Sequence, residues 1–325
     1  MAENGALPRP LSRREFGQIT LAGLPLALAV QKVDSTIKGV QIGVQSYSFR
    51  TLPSTDDIIK AMVKIGLSSV ELMSNHAEAV AGAPAQGRGG EGGRGRGEMT
   101  PEQKQEMQKA AQARAEELRK WRGSISPAAF KAVRKKFDDA GIDIRLLCFN
   151  MNRSTTDDEI EYAFQMAKAL GAKAISTSTQ VSMAKRVAPF ATKHQLMVGY
   201  HNHSNLTDPE EVATPASFEA CMSYSKYHGI NLDIGHFTAA NFDPIPYIEK
   251  NYARITNVHL KDRKKNQGDN VVWGTGDTPI KPVLQLLSAK KYPFPANIEY
   301  EYPGTDVVAE VGKCYQFCKD ALAST

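Results

Sequence analysis

Gly199-Tyr200-His201-Asn202-His203 directly follows the apolar segment Leu196-Met197-Val198. Alternate residues of a β-strand point to the same face, so His201 and His203 would share one face of a strand. Three later segments also place imidazole or carboxylate groups where an apolar run gives way to a loop. They are Asn231-Leu232-Asp233-Ile234-Gly235-His236, Asn257-Val258-His259-Leu260-Lys261-Asp262 and Asn297-Ile298-Glu299-Tyr300-Glu301.

The spacing of these segments indicates the fold class. They recur at intervals of about 25 to 40 residues, the length of one strand plus one helix. Strand patterns such as Leu196–His203 and Ile230–His236 alternate with helical patterns along the chain. This alternation predicts a parallel sheet, and eight such units predict a closed α/β fold, the (β/α)8 TIM barrel. The polar strand ends would then meet at the C-terminal face of the barrel, where active sites of that fold lie.

The residue types at these strand ends predict a metal site. Neutral imidazole and ionised carboxylate together suit Mn, Zn, Co or Fe, whereas an all-oxygen site would favour Mg or Ca. We therefore predict a divalent metal ion, and Mg is the less suitable choice. The alternative is a set of unrelated buried polar residues, each satisfied by a neighbour. Their occurrence in four consecutive units favours the metal site.

The segments YHNH, NLDIGHF, NVHLKD and NIEYEY resemble the xylose isomerase-like TIM barrels, the sugar phosphate isomerase/epimerase superfamily. The resemblance covers about residues 40 to 320 apart from one insertion. It implies metal ligands at the ends of strands 5 to 8, where ketose 3-epimerases typically have Glu, Asp, His and Glu. The matching residues here are His201, Asp233, His259 and Glu299. His201 departs from the epimerase pattern and resembles the His-rich strand of the inosose dehydratases.

The resemblance also implies candidates for catalysis and substrate binding. In the epimerases, the first and last glutamate ligands serve as two bases. A metal-bound imidazole cannot accept a proton on its ligating nitrogen, so His201 could not replace the first base. The predicted catalytic residues are Glu299, His203 and Lys261, and the predicted substrate-binding residues are Glu71, His236 and Glu301.

Other roles for these residues remain open. His203 is expected to bind substrate or to orient a ligand, although which of His201 and His203 contacts the metal is not settled by the pattern. Lys261 could instead pair with Asp262 or Glu299. Glu301 could contact a metal ligand without itself binding metal or substrate. A strand-end carboxylate such as Glu71 could simply pair with a nearby basic side chain.

The N-terminal segment predicts export. Ser12-Arg13-Arg14-Glu15-Phe16 resembles the twin-arginine signal, and the apolar run Ile19 to Val30 with the small-residue site Ala27-Leu28-Ala29 follows it. The run has about 12 residues, too few to span a bilayer as a helix. We predict that residues 1–29 are a signal peptide and that residues 30–325 form the exported barrel, with the periplasm as its destination and no membrane attachment. The alternative is a disordered basic leader.

Composition is consistent with one large globular domain. The 325 residues are 42% hydrophobic and 23% charged, and α/β barrels take about 250 residues plus insertions. The net charge of +5 is modest, so nucleic acid is not an expected partner. The expected partner is a small-molecule carbohydrate, and oligomerisation is left open. Cys314 and Cys318 are four residues apart on one predicted helix and poorly placed to bridge, so we predict no disulfide.

One compositional break interrupts the barrel after the second predicted strand. Residues 82–97, GAPAQGRGGEGGRGRG, are low-complexity sequence that cannot bury a core and should be disordered. Such a tract can bind RNA, but export favours a flexible insertion. Residues 101–122 follow as a charged helical insertion. Together they predict an enlarged loop on the catalytic face and a candidate lid across the barrel mouth.

The predicted constellation suits three functions. The first is a metal-dependent isomerase or epimerase that acts through an enediolate on an unphosphorylated sugar or keto-sugar. The second is a lyase or dehydratase of a keto-sugar or keto-inositol that uses the same enediolate. The third is an exported barrel that binds carbohydrate without catalysis. Export disfavours a phosphorylated substrate, because sugar phosphates are cytoplasmic metabolites.

Overall fold

The computed structural model describes residues 33–85 and 100–324. The predicted signal peptide, residues 1–29, lies outside the described residues. So does most of the Gly/Arg-rich tract, of which only residues 82–85 are described. Within the described ranges, no helix is both long and apolar enough to cross a bilayer.

Eight parallel strands close into a barrel, because the first barrel strand pairs both with the second and with the last. A short additional strand pairs antiparallel with the first barrel strand. The strands are β1 (Thr36–Ile37), β2 (Val40–Gln45), β3 (Ser69–Met73), β4 (Asp143–Cys148), β5 (Ala174–Thr177), β6 (Met197–His201), β7 (His228–Asp233), β8 (Ile255–Leu260) and β9 (Ala296–Ile298). The predicted (β/α)8 barrel is therefore confirmed.

Helices surround the barrel and connect successive strands. In the described part of the chain they are α1 (Thr55–Ile65), α2 (Ser74–Val80), α3 (Pro101–Ser124), α4 (Ala128–Asp139), α5 (Asp157–Ala169), α6 (Met183–His194), α7 (Pro215–Met222), α8 (Ile234–Ala239), α9 (Pro244–Asn251), α10 (Ile280–Lys290) and α11 (Val307–Ala323). Short 3-10 helices occupy Ser46–Phe49 and Tyr252–Arg254.

Local sequence sets the helix ends. Ser54 caps α1 by accepting a hydrogen bond from the Asp57 backbone N–H. Gly66 ends the helix with a φ of +93°, a conformation that glycine adopts without steric cost. The apolar faces of α1 and the other barrel helices pack on one continuous hydrophobic core. The four cysteines, all in the described residues, are buried and unpaired.

The ends of two predicted strands differ from the structure. Strand β6 ends at His201, so His203 lies in the following loop. Strand β7 ends at Asp233, whose side chain accepts a hydrogen bond from the His236 backbone N–H and thereby caps α8. An aspartate at a strand end is a strong helix N-cap, and this capping bond takes His236 out of the predicted strand and into a helix.

Helix α3 belongs to the predicted insertion and none of its residues is fully buried. Its last turns contact α5, and Arg122 anchors the helix there. Arg122 donates to both carboxylate oxygens of Glu78, at 2.7 and 3.2 Å, and to Glu159 at 3.1 Å. Among the residues described, none from α3 lines the cavity at the barrel mouth. Its action as a lid stays a prediction.

We expect Arg122→Met to lower the free energy of unfolding by about 3 kcal/mol, because the change removes a guanidinium from the buried Glu78 carboxylate. Urea unfolding followed by circular dichroism measures the difference. The control is Lys120→Met on the same helix, since Lys120 pairs with an exposed carboxylate, Glu116. The control should cost less than about 0.5 kcal/mol. Equal, small effects of the two changes would contradict the anchoring role.

Candidate metal and catalytic site

A layer of polar side chains inside the barrel supports the site. At its centre is Glu71, on β3, which is fully buried. Its carboxylate accepts hydrogen bonds from four other strands, by way of Ser176 Oγ (2.5 Å), Asn257 Nδ2 (2.8 Å), Asn297 Nδ2 (2.9 Å) and Asn231 Nδ2 (3.5 Å). Burial opposes the ionised carboxyl of Glu71, but nearby His259 and these hydrogen bonds lower its pKa. Glu71 therefore supports the site from inside the barrel.

Four predicted ligands meet above this layer. His201, Asp233, His259 and Glu299 each offer one nitrogen or oxygen, and these atoms all lie within 4.8 Å of one another. All four residues are buried. The consecutive strands β6 to β9 position them at the C-terminal ends, as the spacing predicts. His203, two residues further on, is not part of this group.

One ligand atom, the buried His201 Nε2, lacks a hydrogen-bond partner. It lies 3.6 Å from Asp233 Oδ2, which is also buried and forms an ion pair with Lys261 Nζ at 3.1 Å. The other ring nitrogen of His201 lies 3.3 Å from Ser178 Oγ, which leaves Nε2 directed at the ligand group. Buried polar atoms nearly always have a partner, and a cation between these two atoms would supply it. The donor set therefore fits a metal ion.

His259 is oriented by two carboxylates. Its Nε2 lies 2.6 Å from Glu71 Oε2, and its Nδ1 lies 3.1 Å from Glu299 Oε2. Burial disfavours the imidazolium, but the two carboxylates outweigh burial and raise the pKa of His259 well above its usual value. With Nε2 held by Glu71, Nδ1 is the nitrogen that faces the ligand group. A carboxylate behind a histidine ligand is the usual way to fix its ring and tautomer.

Lys261 is a buried ammonium surrounded by carboxylates. Its Nζ lies 2.6 Å from Glu301, 3.0 Å from Glu299 and 3.1 Å from Asp233. Burial would favour the neutral amine, but the three carboxylates raise the pKa of Lys261 well above its usual value. Lys261 therefore pairs with Glu299, whereas Asp262 accepts backbone hydrogen bonds from the loop before α10. A protonated Lys261 can donate a proton but cannot accept one.

The same contacts keep the two predicted acidic ligands, Asp233 and Glu299, ionised. Burial would raise the pKa of Glu299, but the charges of Lys261 and His259 lower it well below its ordinary value. Burial likewise opposes ionisation of Asp233, and Lys261 together with nearby histidines lowers its pKa. Both carboxylates are therefore anionic over the physiological range, as metal ligands must be.

His203 lies at the rim of the site and has its own carboxylate partner. Its Nδ1 is 2.5 Å from Glu211 Oε1, and the His203 side chain is 40% exposed. The hydrogen bond from His203 lowers the pKa of Glu211, although partial burial opposes this. The ring centre of His203 is 5.1 Å from that of His201. With Nδ1 donating to Glu211, Nε2 is the nitrogen free to exchange a proton with a substrate.

His236 lies beside the ligand group without belonging to it. Its Nε2 is 3.2 Å from Lys261 Nζ, and its Nδ1 is 2.6 Å from Arg263 Nη1. Burial lowers the pKa of His236 well below its usual value, and the Lys261 charge lowers it further. Close packing fixes its helix, because a Cβ on Gly235 would lie 2.7 Å from the Lys261 carbonyl oxygen.

A cavity of about 280 Å³ opens above the ligand group. It is lined by all the predicted site residues except Asp233, together with further side chains from β2, β3, β4, β5 and β7 and from the loops that follow β2, β4 and β5. The additional lining residues are Gln45, Tyr47, Met73, Cys148, Asn150, Ser176, Thr177, Ser178 and Asn231. Its size is near the lower end for small-molecule sites.

Some residues of the site were not predicted. Glu211 and Arg263 lie in loops and reach the site only through the folded path of the chain, so no spacing pattern marked them. The asparagines that contact Glu71 did carry a signal, because Asn231, Asn257 and Asn297 each stand two residues before a predicted ligand. Alternation places them on the same face as the ligands, one layer deeper.

Comparisons with known proteins agree with this architecture. The family model for the xylose isomerase-like TIM barrel matches residues 98–317, more than half of the chain. No curated protein sequence matches. Among solved structures, a sugar phosphate isomerase/epimerase from Parabacteroides distasonis is 16% identical with a TM-score of 0.57, covering 87% of this chain and 95% of that one.

Two further structures are similar in fold. A 3-keto-D-glucoside 4-epimerase from E. coli has a TM-score of 0.58 at 12% identity, covering 88% of this chain and 100% of that one. The probable 3-DHS dehydratase of petrobactin synthesis from Bacillus anthracis has a TM-score of 0.59 at 14% identity, covering 85% and 97%. These structures show the shared barrel, and the family model shows that the chain belongs to the xylose isomerase-like TIM barrel family.

Proposed function

We propose that the protein is a divalent-metal-dependent isomerase or epimerase that acts through an enediolate on an unphosphorylated sugar or keto-sugar. The observation that carries the proposal is the convergence of His201, Asp233, His259 and Glu299 within 4.8 Å. One of the converging atoms, His201 Nε2, is buried without a hydrogen-bond partner. The family contains isomerases, epimerases and dehydratases, which supports an enzyme of this class.

The four residues would hold the metal, and their mixed nitrogen and oxygen donors favour Mn, Zn, Co or Fe over Mg. Bound there, a divalent cation supplies Lewis-acid stabilisation of the negative charge that develops on substrate oxygens. Two neighbouring side chains would orient the histidine ligands. Ser178 Oγ lies 3.3 Å from His201 Nδ1, and Glu71 Oε2 lies 2.6 Å from His259 Nε2.

We assign proton transfer to His203. Both enediolate reactions begin when a base removes a proton from the carbon next to a carbonyl group. Glu299 is poorly placed for this, because its Oε2 lies 3.1 Å from His259 Nδ1 and 3.0 Å from Lys261 Nζ. His203 lines the cavity and is oriented through Nδ1 by Glu211, so its Nε2 can accept the proton. Returning that proton to the neighbouring carbon completes isomerisation, and protonation of the opposite face by a second group completes epimerisation.

The lining of the cavity supports an uncharged substrate. Within the part of the chain that the structure describes, Lys261 is the only lysine or arginine among the lining residues. It is already surrounded by carboxylates, and Glu71, Glu299 and Glu301 also line the cavity. A phosphate group would meet negative charge there. The proposed export through a twin-arginine signal to the periplasm agrees with this, since sugar phosphates are cytoplasmic metabolites.

A lyase or dehydratase of a keto-sugar or keto-inositol is the second candidate. The observation that favours it is the His203–Glu211 pair beside His201, where the resemblance places a glutamate base in the epimerases. Elimination needs one base on one face. His203 would take the proton from carbon and give it to the departing hydroxyl, so that the substrate loses one molecule of water.

Metal content tests the ligand assignment. Asp233→Ala and His259→Ala should each lower metal affinity by more than about 100-fold, since even outer partners of a metal ligand contribute about 10–100-fold. Both variants should keep the barrel, which circular dichroism checks. His203→Asn is the matched control and should retain stoichiometric metal by elemental analysis. Metal loss in the control, or wild-type affinity in either ligand variant, would show that the ligand set is wrong.

Solvent deuterium exchange into a panel of keto-sugars tests the base. We expect His203→Asn to slow exchange by about 10²–10⁴-fold with the metal retained, the usual contribution of a general base. Glu211→Gln keeps a hydrogen-bond acceptor without the charge and should slow exchange less. If His203→Asn exchanges at the wild-type rate while metal-loaded Glu299→Gln does not exchange, then Glu299 is the base. Product analysis separates an isomer or epimer from a dehydrated product.

A further inference from the structure

His236 has a hydrogen-bond donor next to each of its ring nitrogens. Arg263 Nη1 lies 2.6 Å from Nδ1, and Lys261 Nζ lies 3.2 Å from Nε2. A neutral imidazole has one nitrogen that accepts and one that carries hydrogen. The ring can therefore accept from only one of these two cations.

The contacts of Arg263 decide which one. A guanidinium cannot be deprotonated in a protein and offers only donors. Its position is fixed, because Nε and Nη2 donate to the Gly268 carbonyl at 3.0 and 2.7 Å, and Nη1 also donates to Ser204 Oγ at 2.9 Å. Nδ1 of His236 is thus held against a group that can donate but not accept, so Nδ1 must accept the hydrogen bond. The ring hydrogen is then on Nε2.

Lys261 does not need His236 as an acceptor. Its ammonium has three donors, and carboxylate oxygens of Glu301, Glu299 and Asp233 lie at 2.6, 3.0 and 3.1 Å. The ammonium hydrogens are therefore committed to these carboxylates, and the Nε2–H of His236 cannot donate to Lys261 Nζ, which lies 3.2 Å away. His236 lines the cavity, so a substrate oxygen there would supply the acceptor that this N–H needs.

We propose that Arg263 is a positioning residue that holds His236 as its Nε2–H tautomer, so that His236 donates a hydrogen bond to one anionic oxygen of the substrate. An enediolate oxygen has the required charge, and in this respect the inference rests on the proposed function. Donors that are fixed before the reaction stabilise such an oxygen without reorganisation. A nitrogen that carries hydrogen cannot ligate a metal, so the proposal assigns His236 to the substrate and excludes it as a fifth ligand.

The tautomer can be measured without activity. The protein is labelled with 15N-histidine, loaded with Zn²⁺, which is diamagnetic, and examined by long-range 1H–15N correlation. His236→Asn identifies the signals of the ring. We expect hydrogen on Nε2 and none on Nδ1 in the wild-type protein. Hydrogen on Nδ1, or a Zn²⁺-bound Nε2, would overturn the proposal.

Variants separate Arg263 from general effects on the loop. Arg263→Met keeps an unbranched side chain but removes every donor, and a population with hydrogen on Nδ1 should then appear. Ser204→Ala removes another partner of the same Nη1 and should leave the tautomer unchanged. An unchanged tautomer in Arg263→Met would show that Arg263 does not set it. Should Arg263→Met fail to fold, Arg263→Lys, which lacks the planar fork, is expected to show the same mixture.

Binding of glycolohydroxamate, an enediolate analogue, tests the hydrogen bond that His236 is proposed to donate. Arg263→Met should weaken its binding to the Zn²⁺-loaded protein by about 10–100-fold, the scale of one hydrogen bond to a charged group. Equal binding to both proteins, or no binding to the wild type, counts against a site for an anionic oxygen. If the tautomer is as stated but no sugar exchanges deuterium, the proposed function fails and the tautomer assignment stands.

Discussion

The hydrogen bond between Glu71 and His259 is the contact on which the site depends. It joins β3 to β8 across the interior of the barrel at 2.6 Å, with both residues buried. A buried carboxylate is costly unless its oxygens are satisfied, and side chains from four other strands supply those partners. The carboxylate is thereby immobile, and it fixes the imidazole that stands directly above it. The ligand geometry is thus built from inside the barrel, where the strands are most rigid.

Charge explains the arrangement above Glu71. The ligand group contains the anionic Asp233 and Glu299, and Glu301 lies nearby, so carboxylates outnumber the fixed cations around them. Lys261 meets all three, which keeps it protonated and holds the carboxylates together. A metal ion would add positive charge beside His201 Nε2, which has no hydrogen-bond partner. Lys261 and the metal would then both neutralise the negative charge of Asp233 and Glu299.

The sequence predicts the barrel and the ligand group well because both follow from alternation along strands. His201, Asp233, His259 and Glu299 end four consecutive strands, and the closed sheet brings them together with no other assumption. The rest depends on the loops. Glu211 reaches the site because the loop after β6 turns back on itself, as the hydrogen bond from the His203 backbone to Val212 shows. Arg263 and the helical position of His236 likewise depend on contacts between loops and on a cap, which have no periodic signal. The proposal of His203 as the base, one of the three predicted catalytic residues, likewise rests on its loop contact with Glu211.

We propose that one divalent metal ion binds at the ends of strands β6 to β9. Anomalous diffraction from a crystal of the Mn²⁺- or Co²⁺-loaded protein, measured at the absorption edge of the metal, would locate this ion. We expect one strong peak about 2.0–2.3 Å from His201 Nε2, His259 Nδ1 and carboxylate oxygens of Asp233 and Glu299. A peak bound by His203 in place of His201, or the absence of any peak among these four residues, would contradict it.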